Sequence, residues 1–81
     1  MTPSERIPCC VPFCKRTRRP GPFREWICGK HWPLVPARLR RLHALAVRRW
    51  RRYGGTRLAA VEIRVWRWCR AAAIERAGGF R

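Results

Sequence analysis

The distribution of proline divides the chain into two parts with different structural possibilities. All seven prolines lie in the first 36 residues, and residues 37–81 contain none. Because proline lacks a backbone N–H and breaks the interior of a helix, the first part is predicted to be irregular and rich in turns, whereas the second can be helical. A chain of 81 residues is too short for two hydrophobic cores. We therefore expect two segments, 1–35 and 36–81, packed as a single domain.

Two stretches of helical periodicity lie in the proline-free part, on either side of a Gly-Gly pair at positions 54 and 55. The first helix is predicted over about 36–53, beginning at a proline suited to a first turn. The second is predicted over about 57–77, with Thr56 as its N-cap. Because a Gly-Gly link is short, we expect the two helices to pack as an antiparallel hairpin.

Apolar side chains recur on one face of each predicted helix. In the first helix this face comprises Leu39, Leu42, His43, Ala46, Trp50 and Tyr53. In the second helix it comprises Leu58, Val61, Val65, Trp68, Cys69 and Ala72. Three further apolar residues of the second helix fall outside this face, namely Ile63, Trp66 and Ile74. Residues 57–77 are therefore predicted to contact the N-terminal part, a protein partner or a second copy of the chain as well as the first helix.

Basic residues greatly outnumber acidic ones in this chain. It contains 20 Lys and Arg and 4 Asp and Glu, for a formal net charge of +16. Repulsion among so many positive charges destabilises a compact isolated monomer and favours binding of a polyanionic partner. GC-rich codons explain part of the preference for Arg over Lys, but they do not explain the shortage of acidic residues. The composition excludes an ordinary neutral enzyme, and 47% apolar residues exclude a disordered basic tail.

The spacing of cysteine and histidine is the strongest local signal. Cys9 and Cys10 precede Cys14, and Cys28 and His31 follow after thirteen residues. The pattern is C-x4-C, or C-x3-C from Cys10, followed by C-x2-H, and spacing alone leaves Cys9 and Cys10 as alternatives. Three thiolates and one imidazole form a closed tetrahedral set for one structural zinc ion. Such an ion can stabilise a small module by about 10–16 kcal/mol, so we expect a small, mainly α fold in which an irregular Cys3His zinc module precedes the hairpin.

The N-terminal residues lack the apolar stretch of a signal peptide, and Arg interrupts every stretch that could span a membrane. We therefore expect a cytoplasmic protein without a membrane span. In that compartment, an odd number of cysteines (five) indicates metal ligands and free thiols rather than a disulfide framework. Cys69, on the apolar face of the second helix, is expected to be a small core residue.

The string C-x4-C-[KR]-R … W-I-C-x2-H-W, followed by a basic helix, resembles small zinc-binding proteins of bacteriophages and prophages. It is also similar to the treble-clef-like finger of phage DNA-binding and nuclease-associated modules. The resemblance covers about residues 8–42 and implies treble-clef-like knuckles and a phage-like context. Its motif positions imply zinc ligation by Cys9, Cys14, Cys28 and His31, with Trp32 as the aromatic residue after the histidine. It places Cys10 at a non-ligand position, and it has no counterpart for the second helix.

The residues needed for catalysis are scarce. A metal-dependent nuclease requires a general base and ligands for a catalytic ion, but the chain has only two histidines and contains neither Asp nor Asn. His31 belongs to the predicted zinc set, and His43 lies on the apolar face of the first helix. The single serine, Ser4, lies close to the N-terminus, where a nucleophile would lack a fixed partner. We therefore predict that the protein is not an enzyme.

Arginine-rich runs in both parts of the chain predict nucleic-acid binding. The planar guanidinium donates two hydrogen bonds to a phosphate, so DNA or RNA is expected to bind mainly through its backbone. The predicted contact residues are Lys15, Arg16, Arg18, Arg19, Lys30, Arg40, Arg41, Arg48, Arg51 and Arg52. The tryptophans could stack on unpaired bases, although helical spacing is more typical of core positions. The alternative is a phage-encoded interaction factor that binds or inhibits an acidic host protein.

Overall fold

The computed structural model describes residues 6–19 and 25–78. Two short strands, β1 (Ile7–Pro8) and β2 (Thr17–Arg18), form an antiparallel pair in which Ile7 lies opposite Arg18 and Pro8 opposite Thr17. A 3-10 helix follows at Trp32–Leu34. The remaining elements are two helices, α1 (Ala37–Tyr53) and α2 (Thr56–Arg76). The fold is therefore small and mainly helical, as the proline distribution predicts.

The two helices begin and end within one residue of the predicted bounds. Pro36 occupies the N-cap position of α1 rather than the predicted place in its first turn, and Gly55 occupies the N-cap position of α2. The predicted capping role of Thr56 is therefore wrong, because Thr56 is already helical and its side chain makes no cap hydrogen bond. Gly54 and Gly55 have φ values of 68° and 93°, a left-handed conformation that glycine adopts without a Cβ penalty. This conformation reverses the chain within two residues.

Contacts between α1 and α2 show that the helices run antiparallel. His43 Nε2 lies 3.0 Å from Glu62 Oε2, and the Cys69 thiol lies 3.6 Å from the carbonyl oxygen of Leu39. A position nearer the start of α1 thus contacts a position nearer the end of α2. The predicted two-helix hairpin is present.

One cluster of buried side chains joins the N-terminal part to α2. Val35, Cys28 and Cys69 are fully buried within it. The full set of buried members is Cys9, Val11, Ile27, Cys28, Val35, Val65, Cys69 and Ala73. The N-terminal part therefore packs on the hairpin as a third wall of the core, and no segment has a core of its own among the described residues.

The buried face of α2 is rotated from the face that periodicity predicts. Val61 and Trp68, expected inside, are 45% and 50% exposed, whereas Val65 is 3% exposed. Trp66 and Ile74, which lie outside the predicted face and are expected to contact the N-terminal part or another chain, pack against the buried cluster. The physical reason is that α2 contacts α1 on one side and the N-terminal part on an adjacent side, so the buried arc lies between these two partners.

The buried face of α1 also differs from the predicted one. Leu42 and Tyr53, which belong to the predicted apolar face of α1, are exposed, while Ala46 is buried. Cys69 is fully buried, as expected of a core residue. Neither described helix combines the length and the apolar character needed to cross a membrane.

Two valines of α2 provide a matched test of this packing. Val65→Ala removes buried methyl groups and is expected to lower the free energy of unfolding by about 2 kcal/mol. Val61→Ala removes the same groups from an exposed site and is expected to cost less than about 0.5 kcal/mol. Urea denaturation followed by circular dichroism measures both. Equal losses of unfolding free energy in the two variants would contradict the burial of Val65 and the exposure of Val61.

Candidate metal centre

Four side chains bring their ligand atoms together from two short segments, a first knuckle at 9–14 and a second knuckle at 28–31. They are the thiols of Cys9, Cys14 and Cys28 and the imidazole of His31, and all four ligand atoms lie within 4.8 Å of one another. Cys9 and Cys28 are buried, and the other two are half-buried. Within the described ranges this is the one Cys, His and carboxylate cluster that could hold a metal ion.

Three of the six ligand–ligand distances lie within about 0.4 Å of the edges of a metal-centred tetrahedron. Cys14 Sγ lies 3.7 Å from Cys28 Sγ, and His31 Nδ1 lies 3.2 Å from Cys28 Sγ and 3.8 Å from Cys9 Sγ. Metal–sulfur bonds of about 2.3 Å and metal–nitrogen bonds of about 2.0–2.1 Å require edges of about 3.8 Å and 3.6 Å, respectively. The donor set can therefore close around an ion with little rearrangement.

Two tight turns place these ligands. In the first, the Cys14 N–H donates to the Val11 carbonyl at 3.2 Å, and Phe13 has a φ of 71°. In the second, the N–H groups of His31 and Trp32 both donate to the Cys28 carbonyl, at 3.0 and 2.9 Å. Each turn folds the chain back so that a ligand before it and a ligand after it face the same point.

Hydrogen bonds in the cluster favour the deprotonated form of Cys28. The Cys28 N–H donates to Cys9 Sγ at 3.3 Å, which links the two knuckles. Burial raises the pKa of the Cys28 thiol, but hydrogen bonds from the backbone of His31 and Lys30 and from the side chains of His31 and Cys14 outweigh it and lower the pKa to about 6. Burial raises the pKa of Cys9. Cys28 is thus the cysteine best prepared to act as a thiolate ligand.

Cys10, the alternative to Cys9 in the spacing pattern, is not part of the cluster. Its backbone N–H donates to the Trp26 carbonyl at 3.0 Å, and its side chain packs against the buried cluster. Burial and the nearby Glu25 carboxylate raise the pKa of its thiol. The geometry therefore selects Cys9 from the two alternatives.

The predicted nucleic-acid contacts occupy three regions of the surface. Lys15, Arg16 and Lys30 line a hollow of about 480 Å³ beside Cys14 and His31. Arg18 and Arg19 are exposed on and after β2. Four further residues are exposed on α1, namely Arg41, Arg48, Arg51 and Arg52.

Arg40 differs from the other predicted contacts. It is only half-exposed, and its Nε donates to the Val35 carbonyl at 3.0 Å. This bond ties the first turn of α1 to the fully buried Val35, so Arg40 has a structural role in addition to its charge.

Two carboxylates and their partners were not anticipated from the sequence. Glu62, 7% exposed, bonds His43 across the hairpin. Glu25 accepts hydrogen bonds from Trp66 Nε1 at 2.7 Å and from Arg70 at 2.5 Å. The available signal for the first pair is a lone His on the apolar face of one helix and a lone Glu between Leu58 and Val65 on the other. No comparable signal marks Glu25.

No protein-family model matches this chain, and searches of known proteins and of solved structures give no significant match. The chemistry of the described residues is therefore the basis for the function proposed below.

Adjacent cysteines provide a matched test of the metal centre. Cys9→Ser is expected to weaken binding of one zinc ion strongly, because it removes one of four ligands, whereas Cys10→Ser is expected to retain one equivalent. Native mass spectrometry after zinc loading measures the stoichiometry, and circular dichroism measures folding. Loss of zinc in Cys10→Ser with retention in Cys9→Ser would contradict the assignment.

Proposed function

We propose that the protein is a zinc-stabilised nucleic-acid-binding protein that holds DNA or RNA mainly through Arg contacts to phosphate. The proposal rests on the distribution of charged side chains in the structure. Leaving out Arg24, Arg81 and Glu5, which lie outside the described ranges, 18 Lys and Arg and three Glu remain. Two of these carboxylates are engaged in internal contacts, with His43 and with Arg70. The basic surface is therefore almost uncompensated by acidic groups.

Zinc is the metal that best fits the proposed centre. Thiolates are soft ligands that disfavour Mg²⁺ and Ca²⁺, and three of them with one imidazole form a common structural zinc set. Four protein ligands fill the tetrahedral positions and leave none open for substrate, so we assign the ion a structural role and the protein no catalytic one. Reduced thiols suit a cytoplasmic location.

Charged residues on the outer face of α1 provide the most regular of the basic surfaces. Arg41, Arg48 and Arg52 lie at helical spacing on the side opposite the buried Ala46. Side chains three or four positions apart are neighbours on a helix surface, so Arg48 and Arg52 are adjacent, and Arg41 lies two turns before Arg48 in the same row. Their mutual repulsion is relieved when a phosphate backbone lies along the row. A helix of this kind fits the major groove of DNA, and phosphate contacts alone give no sequence preference.

The salt dependence of duplex DNA binding tests the proposal. Affinity is expected to fall with salt on a log–log scale, with a slope of about −0.9 for each phosphate contacted. The double variant Arg48→Ala, Arg52→Ala is expected to reduce the magnitude of this slope by about 1.8. The matched variant Arg38→Ala, Arg49→Ala lies on the same helix but outside the row and is expected to change it less. Fluorescence anisotropy with a labelled duplex measures each slope.

Absence of binding at low salt, or an affinity that does not change with salt, would overturn the nucleic-acid proposal. An equal effect of the two double variants would show that the row on α1 is not the contact surface. Retention of zinc by every variant is the control for folding.

An exposed apolar surface on the hairpin favours a second candidate function, binding of an acidic protein. Six large apolar side chains at least 40% exposed lie on the two helices: Leu42, Leu45, Tyr53, Val61, Ile63 and Trp68. Patches of this kind are typical of interaction sites. The surrounding arginines suit an acidic partner, such as a host protein bound by a phage-encoded factor.

Capture from lysate after nuclease treatment and a high-salt wash tests this second function. Retention of one acidic protein by the native chain and its loss on Trp68→Ala would support the second function, because truncating a central aromatic side chain removes much of the binding energy. Loss of every captured component on nuclease treatment would contradict it.

A further inference from the structure

A cleft of about 870 Å³ lies between the N-terminal part and the hairpin, and none of the four candidate metal ligands lines it. Its walls come from three regions of the chain: β1 and β2, the segment from Glu25 to the 3-10 helix, and the facing sides of α1 and α2. Its volume lies in the range of small-molecule sites, about 300–1,000 Å³. Three tryptophans, four arginines, three isoleucines and one histidine are among the residues that line it.

The aromatic walls of this cleft are held in place by hydrogen bonds and ring contacts. Trp26 Nε1 donates to the Ile7 carbonyl at 2.9 Å, and Trp66 Nε1 donates to Glu25. The Trp32 and Trp66 rings are within 22° of parallel with centroids 6.4 Å apart, and His43 packs against both. Because these side chains are already ordered, a flat ligand that stacks on them does not bear the entropic cost of fixing them.

Cationic groups border the same aromatic surface. Arg18 lies over the Trp26 ring with its guanidinium carbon 5.5 Å from the ring centroid. Arg51 and Arg67 also line the cleft, and neither forms an ion pair with a described carboxylate. The Glu25 carboxylate accepts hydrogen bonds from Trp66 and Arg70 and is thereby engaged within the protein. The cleft therefore combines flat apolar walls with unneutralised positive charge.

We propose that this cleft binds one unpaired nucleotide of a single-stranded nucleic acid, an inference that rests on the function proposed above. Among common ligands, a nucleotide combines a flat ring that stacks on indole with a phosphate that binds guanidinium. In a duplex, both faces of each base are covered by neighbouring bases, so the ring cannot reach a recessed aromatic wall. An unpaired base can enter the cleft while its phosphates contact Arg51 and Arg67.

Tryptophan fluorescence titrations at low salt test the inference with four probes: an oligothymidylate of about eight nucleotides, an abasic oligomer of equal length, a duplex and thymidine monophosphate. Stacking on an aromatic side chain is expected to make the oligothymidylate bind at least about fivefold more tightly than the abasic oligomer. Thymidine monophosphate is expected to compete only at much higher concentration, because it lacks the flanking phosphates.

Paired arginine variants locate the binding. Arg51→Ala, Arg67→Ala is expected to weaken oligothymidylate binding about tenfold more than Arg49→Ala, Arg64→Ala, which removes the same charge from exposed positions of the same two helices outside the cleft. Both variants are expected to reduce duplex affinity to a similar extent, because the cleft is not needed there. Retained zinc and unchanged circular dichroism show that each variant is folded.

Equal affinity for the oligothymidylate and the abasic oligomer, or equal effects of the two double variants on the oligothymidylate, would overturn the cleft inference. Salt-dependent duplex binding would in that case leave the proposed function intact. Competition by thymidine monophosphate at concentrations similar to those of the oligothymidylate would overturn the single-strand assignment, since the cleft would then take a free nucleotide. Failure of every probe to bind would overturn both proposals.

Discussion

The convergence of Cys9, Cys14, Cys28 and His31 is the contact on which the remaining structure depends. Two helices joined by a two-residue turn can bury only the sides that face each other, and a chain of this size has little apolar surface to spare. The N-terminal part supplies the missing wall through Val11, Ile27 and the cysteines themselves. In the N-terminal part, the regular backbone pairing among described residues is that of two two-residue strands. An ion bound by the four ligands would hold the N-terminal part rigid, which the hydrogen bonds between two such short strands cannot do.

The sequence predicts the elements that depend on local periodicity and spacing. Both helices are predictable because proline is absent after residue 36 and a Gly-Gly pair separates the two periodic stretches. The set of possible ligands is predictable because cysteine and histidine at close spacing around tight turns point to a common centre. These signals each come from residues that are neighbours in the chain.

Contacts between distant segments could not be predicted in the same way. The choice of Cys9 over Cys10 depends on where the second knuckle lies, since the Cys10 N–H is bonded to Trp26 and the Cys9 thiol accepts from Cys28. The rotated face of α2 depends on where the N-terminal part packs, and the apolar residues outside the main face indicate that part only as one of several possible partners. Trp66 is the clearest example: its place outside the main apolar face of α2 predicts a contact with the N-terminal part or another chain, but it does not identify Glu25, 41 positions earlier, as the partner.

The bond from Arg70 to Glu25 closes a longer stretch of chain than the contacts within the hairpin or within the ligand cluster do. These residues are separated by 45 positions, whereas His43 and Glu62 are 19 apart and Cys9 and His31 are 22 apart. The entropic cost of closing a loop rises with its length, and local contacts form sooner than distant ones. Contacts within the hairpin and within the ligand cluster are thus expected to form first, with docking of one on the other as the last step. The Trp66 and Arg70 contacts to Glu25 belong to that step, so the cleft they border takes shape only when the chain has finished folding.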